Sequence, residues 1–408
     1  VSEEALDRRG LSLLGGAHLS VDLCQAAVPA LLPFFVEQRG YSYAAAGALV
    51  FAATVGSSLI QPLFGHAADR LQLPWLMAVG VLMAGAGIAL AGVASSYLLT
   101  FAAIALSGIG VAAFHPEGAR HANYASGARK AQGMSLFALG GNGGFALGPV
   151  LTTGFVLAFG LPGTLFLALI PGVAGAVLLA KSGKLHSLRV RGAAAAEADS
   201  ESTPEDRWGA FGRLTGVISL RSCVHFGLLS FVPVWFVTSL GTSEAGGNAA
   251  LTAMLAAGAA GTVIGGRIAD RVGRRTILLA CVAATTPLMA AFILAPTALA
   301  FPLVALLGLV IIGTFAITVV LGQEYLPNRL GMASGVTLGA AIGVGGALAP
   351  ILGALADAHG IETAMWVIAA IPLPALLLAL TLPSDGRARF ARQVPKTRSP
   401  ASPSPGRM

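Results

Sequence analysis

The sequence predicts an all-α membrane protein in which twelve transmembrane helices form two pseudo-symmetric six-helix bundles. Three observations predict it. The composition is too apolar for a solvated surface, and runs of membrane-spanning length recur along nearly the whole chain. Two landmarks of the first half also return in the second at one fixed offset.

Of the 408 residues, 55% are hydrophobic and 11% charged, and the mean hydropathy is +0.79. Soluble domains carry about 25% charged residues, so most of this surface must meet something other than water. A hydrocarbon core takes about 20 apolar residues per helix. The sequence offers such runs at 11–36, 43–64, 75–94, 97–117, 131–159 and 162–181. After a polar break they resume at 213–240, 248–266, 276–294, 298–322, 331–356 and 362–382. Only helices and closed barrels satisfy the backbone in lipid, and barrel strands would alternate apolar with polar residues, which these runs do not.

Basic residues orient the spans. Numbered 1 to 12 in order, they place 23 of the 25 Lys and Arg residues on the side of the N-terminus, leaving Arg39 opposite and Arg221 within span 7. Cytoplasmic loops carry such an excess. Both termini are therefore expected in the cytoplasm of a multi-pass inner-membrane protein. The formal net charge of +7 is this bias, with a basic tail suited to anionic lipid, and needs no nucleic acid. Cys24, Cys223 and Cys281 fall inside spans and read as free thiols. No cleavable signal is expected, because the first ten residues are charged and the apolar run after them is long.

The chain divides into a first bundle (1–181), a polar cytoplasmic linker (182–212), a second bundle (213–383) and a basic tail (384–408) expected to be disordered. The bundles are repeats. GHAADRLQLP begins at Gly65 and GRIADRVGRR at Gly266, with Asp69 and Asp270 201 residues apart; GGFALGP ends at Pro149 and VGGALAP at Pro350, again 201 apart. Parallel repeats of this kind build carriers whose halves rock around a midplane site.

Each G-x-x-x-D-R stretch reads as a tight charged turn between two spans, with Gly for the turn and Asp to accept from free N–H groups at a helix start. The pair resembles the signature loop of the major facilitator superfamily. Gly266, Asp270, Arg271, Gly273, Arg274 and Arg275 match it fully, while Gly65, Asp69 and Arg70 are followed by Leu71 and not by the Gly-Arg-Arg ending. In span 5, the run from Gly140 through Asn142 to Gly148 and Pro149 permits close helix packing and resembles the antiporter motif of the superfamily's drug exporters. AHLSVDLCQAAVPALLPFF (17–35), SGIGVAAFHPEGARHANYASG (107–127) and GMSLFALGGNGGFALGP (133–149) together resemble the fosmidomycin resistance family of efflux carriers. The likeness runs through most of the first half. It implies proton-driven export with phosphonates such as fosmidomycin as type substrates, and a central cavity lined by spans 1, 4, 7 and 10.

Polar side chains inside the bilayer are costly and mark function. His18, Asp22, Gln25 and Pro29 share one face of span 1, so they should line a cavity or a neighbouring helix. Span 7 carries Arg221 and His225 one turn apart, and the 201-residue offset sets Arg221 near the depth of Asp22. The two are expected to face each other. Arg221 then attracts an anionic group through its planar fork, and Asp22 is the protonatable partner. His18, Gln25 and Asn142 are further substrate-side candidates; His115, Glu117 and His225 are further proton candidates. Pro116 should bend span 4, with Glu117 and His121 forming a gate with Arg70 or Arg129, and Glu324 echoing it on span 10.

No nucleotide-binding loop, nucleophile elbow or metal-ligand spacing occurs. The expectation is a monomeric carrier for a small anionic solute, with the proton as coupling ion, no other cofactor and no enzymatic activity. Proton-coupled uptake of an anionic metabolite is the nearest rival, and a transporter-like sensor the rival of another class.

Overall fold

In the computed structural model, which describes residues 6–61, 63–64, 75–127, 130–183, 205–327 and 329–384, every regular element is helical. Eleven helices are long and apolar enough to cross a membrane, and Tyr43–Ser58 is a shorter apolar helix. Span 1 is Arg8–Arg39, span 2 Tyr43–Thr54 continuing into a π turn, span 3 Leu76–Val93, span 4 Tyr97–Ala125 and span 5 Lys130–Phe159. Span 6 ends in Leu169–Ala180. Spans 7, 8 and 9 are Trp208–Thr238, Glu244–Val272 and Arg274–Leu294. Span 10 is broken into Thr297–Ile312 and Phe315–Tyr325, and span 11 runs from Leu330 through a π turn to His359. Span 12 comprises Ile361–Ala370 and Pro372–Leu380. Residues 65–74, and with them Gly65, Asp69 and Arg70, lie outside the described residues, as do Arg129, most of the linker and the tail from 385.

Local sequence explains the helix ends. Ser42, Ser96 and Ser243 each accept from the backbone N–H three residues on, starting spans 2, 4 and 8. Gly40 ends span 1 at φ 64°, a left-handed value that glycine adopts without a Cβ penalty. Arg39, the basic residue predicted to stand alone, reaches the final carbonyls of span 3, with Nη2 2.5 Å from Gly92 O and Nη1 2.9 Å from Thr100 Oγ1. Its charge serves as a C-cap for a neighbouring helix.

Two expectations fail here. Span 4 does not stop at 117 but continues to Ala125, and its polar end is paired along the helix: Glu117 lies 2.9 Å from Arg120 and 3.7 Å from His121. In the second signature loop, Gly266, Asp270 and Arg271 are not a turn but the last part of span 8; the chain turns at Gly273, φ 108°.

Glycines set how closely the spans pack. Gly140, Gly144 and Gly148 of span 5 lie against the backbone of Gly15, Leu19 and Leu23 on span 1, four residues apart on each helix. Gly345 of span 11 lies likewise against Ser222 of span 7, so the repeated Gly-Pro helix does the same work in both halves. Between halves, span 2 packs along span 11 and span 5 along span 8. On the face opposite the termini, Asp357 of span 11 accepts from Tyr43 N and Ala44 N, both at 2.8 Å, capping span 2 across the seam. Gly47 and Gly353 bring the two backbones together beside it. Asn248 of span 8, fully buried, donates to Ala30 O of span 1 at 2.9 Å. The π turns, Val55–Leu59 in span 2 and Val336–Ala340 in span 11, meet nearer the terminal face, where Gly339 faces Ser58 O.

Candidate functional site

The polar stripe of span 1 divides along its length. His18 and Asp22 turn towards spans 4 and 5, while Gln25 and Pro29 line a cavity of about 40 Å³ between the halves. Thr54, Phe145, His225 and Leu229 close that cavity from spans 2, 5 and 7. Gln25 Nε2 also lies 3.4 Å from Ser57 Oγ at the π turn of span 2. A drug-sized solute needs roughly 300 Å³ or more, whereas water needs only about 10–15 Å³. The space here is water-sized.

Asp22 is buried between His18 and His115, and its Oδ1 has no hydrogen-bond partner among the described residues. His18 Nε2 lies 3.1 Å from Oδ2, and His115 Nε2, from span 4, lies 3.2 Å from Oδ1. Each imidazole is fixed from behind: His18 Nδ1 is 2.9 Å from Phe137 O, and His115 Nδ1 is 2.9 Å from Val111 O. The His18 ring stacks on Phe137 at 4.1 Å and meets His115 edge-on at 5.0 Å. Gly141 seals the side facing span 5, where a Cβ would stand 2.5 Å from His18 Cε1 and 2.6 Å from Asp22 Oδ2. The two imidazoles and the carboxylate offer ligand atoms within 4.8 Å of one another, a donor set that suits a cation.

Arg221 does not face Asp22. Its guanidinium turns to span 10, with Nη1 3.4 Å from both Ile311 O and Thr314 Oγ1 and the ring of Phe315 at 5.6 Å. Its Nε has no partner, and no carboxylate pairs with it among the described residues. Its direction around span 7 differs from the expectation. His225, one turn on, lines the cavity. Asn142 is half-buried beside Gly141, with no side-chain partner among the described residues.

The other candidates sit at the terminal face. Glu117, Arg120 and His121 contact one another on span 4, while Arg70 and Arg129, their expected gate partners, lie outside the described residues. Arg274 of the second signature loop pairs with Glu324 of span 10 at 2.5 Å, and Arg275 Nη2 donates to Leu380 O at 2.7 Å. That loop therefore ties spans 9, 10 and 12. Sequence reasoning missed Asn248 and Asp357, and read Gly141 only as part of a packing run. For Gly141 the signal was the unbroken Gly140-Gly141-Asn142-Gly143-Gly144 run. Asp357 offered only a carboxylate at the far end of span 11.

The family model of the Major Facilitator Superfamily matches residues 14–350. The chain belongs to the major facilitator superfamily. It is 30% identical over 385 residues to the uncharacterized MFS-type transporter YfnC of Bacillus subtilis, covering 93% of this chain and 94% of that one. With the fosmidomycin resistance protein of Escherichia coli it shares 29% identity over 376 residues, 91% of this chain and 92% of that protein. Among solved structures, an inward-facing, occupied bacterial homologue of the human lysosomal transporter Spinster superposes with a TM-score of 0.72 at 14% identity, over 91% of this chain and 95% of that one. A D-xylose–proton symporter superposes at 0.65 and 17% identity, over 92% and 97%. These likenesses establish the superfamily fold. The protein is a membrane transporter of that superfamily and not an enzyme.

Proposed function

We propose that this transporter exports small anionic compounds, phosphonates such as fosmidomycin among them, in exchange for protons. It does so by alternating access as a monomer in the inner membrane, with both termini cytoplasmic. The observation that carries the reading is the separation of charge between the halves. In the first, Asp22 lies 3.1–3.2 Å from the imidazole nitrogens of His18 and His115; in the second, Arg221 sits inside a span with no carboxylate partner among the described residues. A guanidinium left without an acid suits a ligand oxyanion, which it grips through two parallel bonds. A carboxylate held by two imidazoles suits proton exchange. The 29% identity to the fosmidomycin resistance protein supports the substrate class.

The test is fosmidomycin movement in proteoliposomes under an imposed pH gradient, comparing the parent with Asp22→Asn and Arg221→Ala. Uphill movement against the proton flow, abolished in Asp22→Asn, is expected. Hydrogen bonds to a charged group contribute about 1.5–3 kcal/mol, so Arg221→Ala should raise KM roughly 10- to 100-fold. Movement in the same direction as protons would replace export with uptake. Binding without any counterflow would replace transport with sensing.

A further inference from the structure

We infer that His18, Asp22 and His115 form a binding site for one divalent first-row transition-metal cation, with zinc as the type, joining span 1 to span 4 inside the first bundle. The inference goes beyond the exchange reading above and does not depend on which solute moves.

The donor atoms are already aimed. A backbone carbonyl only accepts, so the contacts of His18 Nδ1 with Phe137 O and of His115 Nδ1 with Val111 O place the hydrogen of each neutral ring on Nδ1. Metal-ligating histidines give their second ring N–H to such a partner, which fixes the ring and raises its basicity. Each Nε2 is then a bare lone pair, and the two lie 3.1 and 3.2 Å from the oxygens of Asp22. Three acceptors thus face one another, and Oδ1 is a buried oxygen with no hydrogen-bond partner. No Lys or Arg pairs with Asp22 among the described residues. One dication satisfies all three groups at once. Zinc bonds nitrogen and oxygen at about 2.0–2.2 Å, which sets neighbouring ligands of a tetrahedron about 3.4 Å apart. Two contacts are near that spacing, and the ligand atoms all fall within 4.8 Å of one another, so side-chain rotation closes the remainder.

The donor set also selects the ion. Imidazole nitrogen favours transition metals over magnesium and calcium, which take oxygen ligands. Three protein ligands leave the fourth tetrahedral position open, the pattern of an exchangeable site and not of a closed structural one. Gly141 closes the span 5 side. The His115 side chain is 24% exposed against 11% for His18 and 6% for Asp22, so an ion and a water ligand reach the cluster past His115. The neighbouring polar group lacks this character, because at Glu117 the positive charge is already supplied by Arg120. Among the described residues no other three His, Cys, Asp or Glu side chains come together in this way. A bound ion takes up the lone pairs that proton exchange would use, so the two uses of the cluster exclude each other.

The experiment is metal titration of the full chain, untagged, reconstituted in nanodiscs and stripped with chelator beforehand. Calorimetry with Zn2+ is expected to give one site per chain. Asp22→Asn, His18→Gln and His115→Gln should each weaken it by at least about 10- to 100-fold, since losing even a hydrogen-bond partner of a metal ligand costs that much. His359→Gln, which changes an exposed histidine at the end of span 11, should leave it unchanged. Co2+ bound to the parent should show the intense visible absorption of a four-coordinate site with nitrogen and oxygen donors. The parent's spectrum needs no variant to fold: the pale spectrum of six-coordinate cobalt, or a thiolate charge-transfer band from Cys24, overturns the site. Failure of the folded parent to bind Zn2+, full affinity in folded Asp22→Asn or His115→Gln, or equal affinity for Mg2+ overturns it as well. Neither readout involves fosmidomycin, so failure here leaves the exchange reading standing, and failure of that reading leaves the metal site standing.

Discussion

Asp357 fastens the two halves on the face opposite the termini, and removing it should loosen that face by a predictable amount. Its carboxylate takes two backbone N–H groups of span 2, each at 2.8 Å. Losing a side-chain N-cap costs about 0.5–2 kcal/mol. Both bonds here are exposed to solvent, which weakens them, while the carboxylate's charge at a helix N-terminus strengthens them. About 1–2 kcal/mol is the resulting expectation for Asp357→Ala, roughly a 5- to 30-fold shift in an equilibrium. Spin labels on cysteines replacing Gln38 of span 1 and His359 of span 11, both exposed, would read the separation of the halves by pulsed electron resonance. The natural cysteines Cys24, Cys223 and Cys281 would be replaced first. In Asp357→Ala the longer-distance population should grow 5- to 30-fold relative to the parent, and Asp357→Asn should fall between the two. An unchanged distance distribution in well-folded Asp357→Ala would refute the idea that this cap holds the face shut.

Gly141→Ala places a methyl against His18 and Asp22. Overpacking of this kind costs about 1–3 kcal/mol, so melting in detergent should fall and uphill transport should weaken more than facilitated exchange; a variant with parental coupling would count against the cluster's role. Arg39→Ala frees the carbonyl of Gly92 and the hydroxyl of Thr100. About 1.5–3 kcal/mol of stability should go with it, seen as a lower melting temperature with KM unchanged. Arg274→Ala removes a partly exposed pair with Glu324. Such pairs contribute about 0–1 kcal/mol, so its melting should hardly move even if its transport rate falls.

Much of the fold was legible because lipid imposes length and polarity on every span. The repeat was legible because close packing requires glycine at fixed depths: Gly144 and Gly345 each abut the backbone of the first helix of their half. What sequence could not supply was direction around a helix axis. Periodicity put His18 and Asp22 on one face and Arg221 at a similar depth, but the choice between Arg221 and His115 as partner depended on how spans 1, 4 and 7 turn relative to one another. The continuation of span 4 past Pro116 was illegible for a related reason. Glu117, Arg120 and His121 line its polar end, and charge alone looks the same whether it terminates a helix or lines one.

The paired π turns of spans 2 and 11 have a mechanical consequence. Both helices lose regular hydrogen bonding at a similar depth, on either side of the same seam. Each π turn then acts as a compliant knuckle at the end of the rod nearer Asp357, and those two rods are riveted together by backbone contact. A carrier built this way can unseal one mouth while the other stays shut, so leakage is prevented by where the helices are soft as much as by what clamps them.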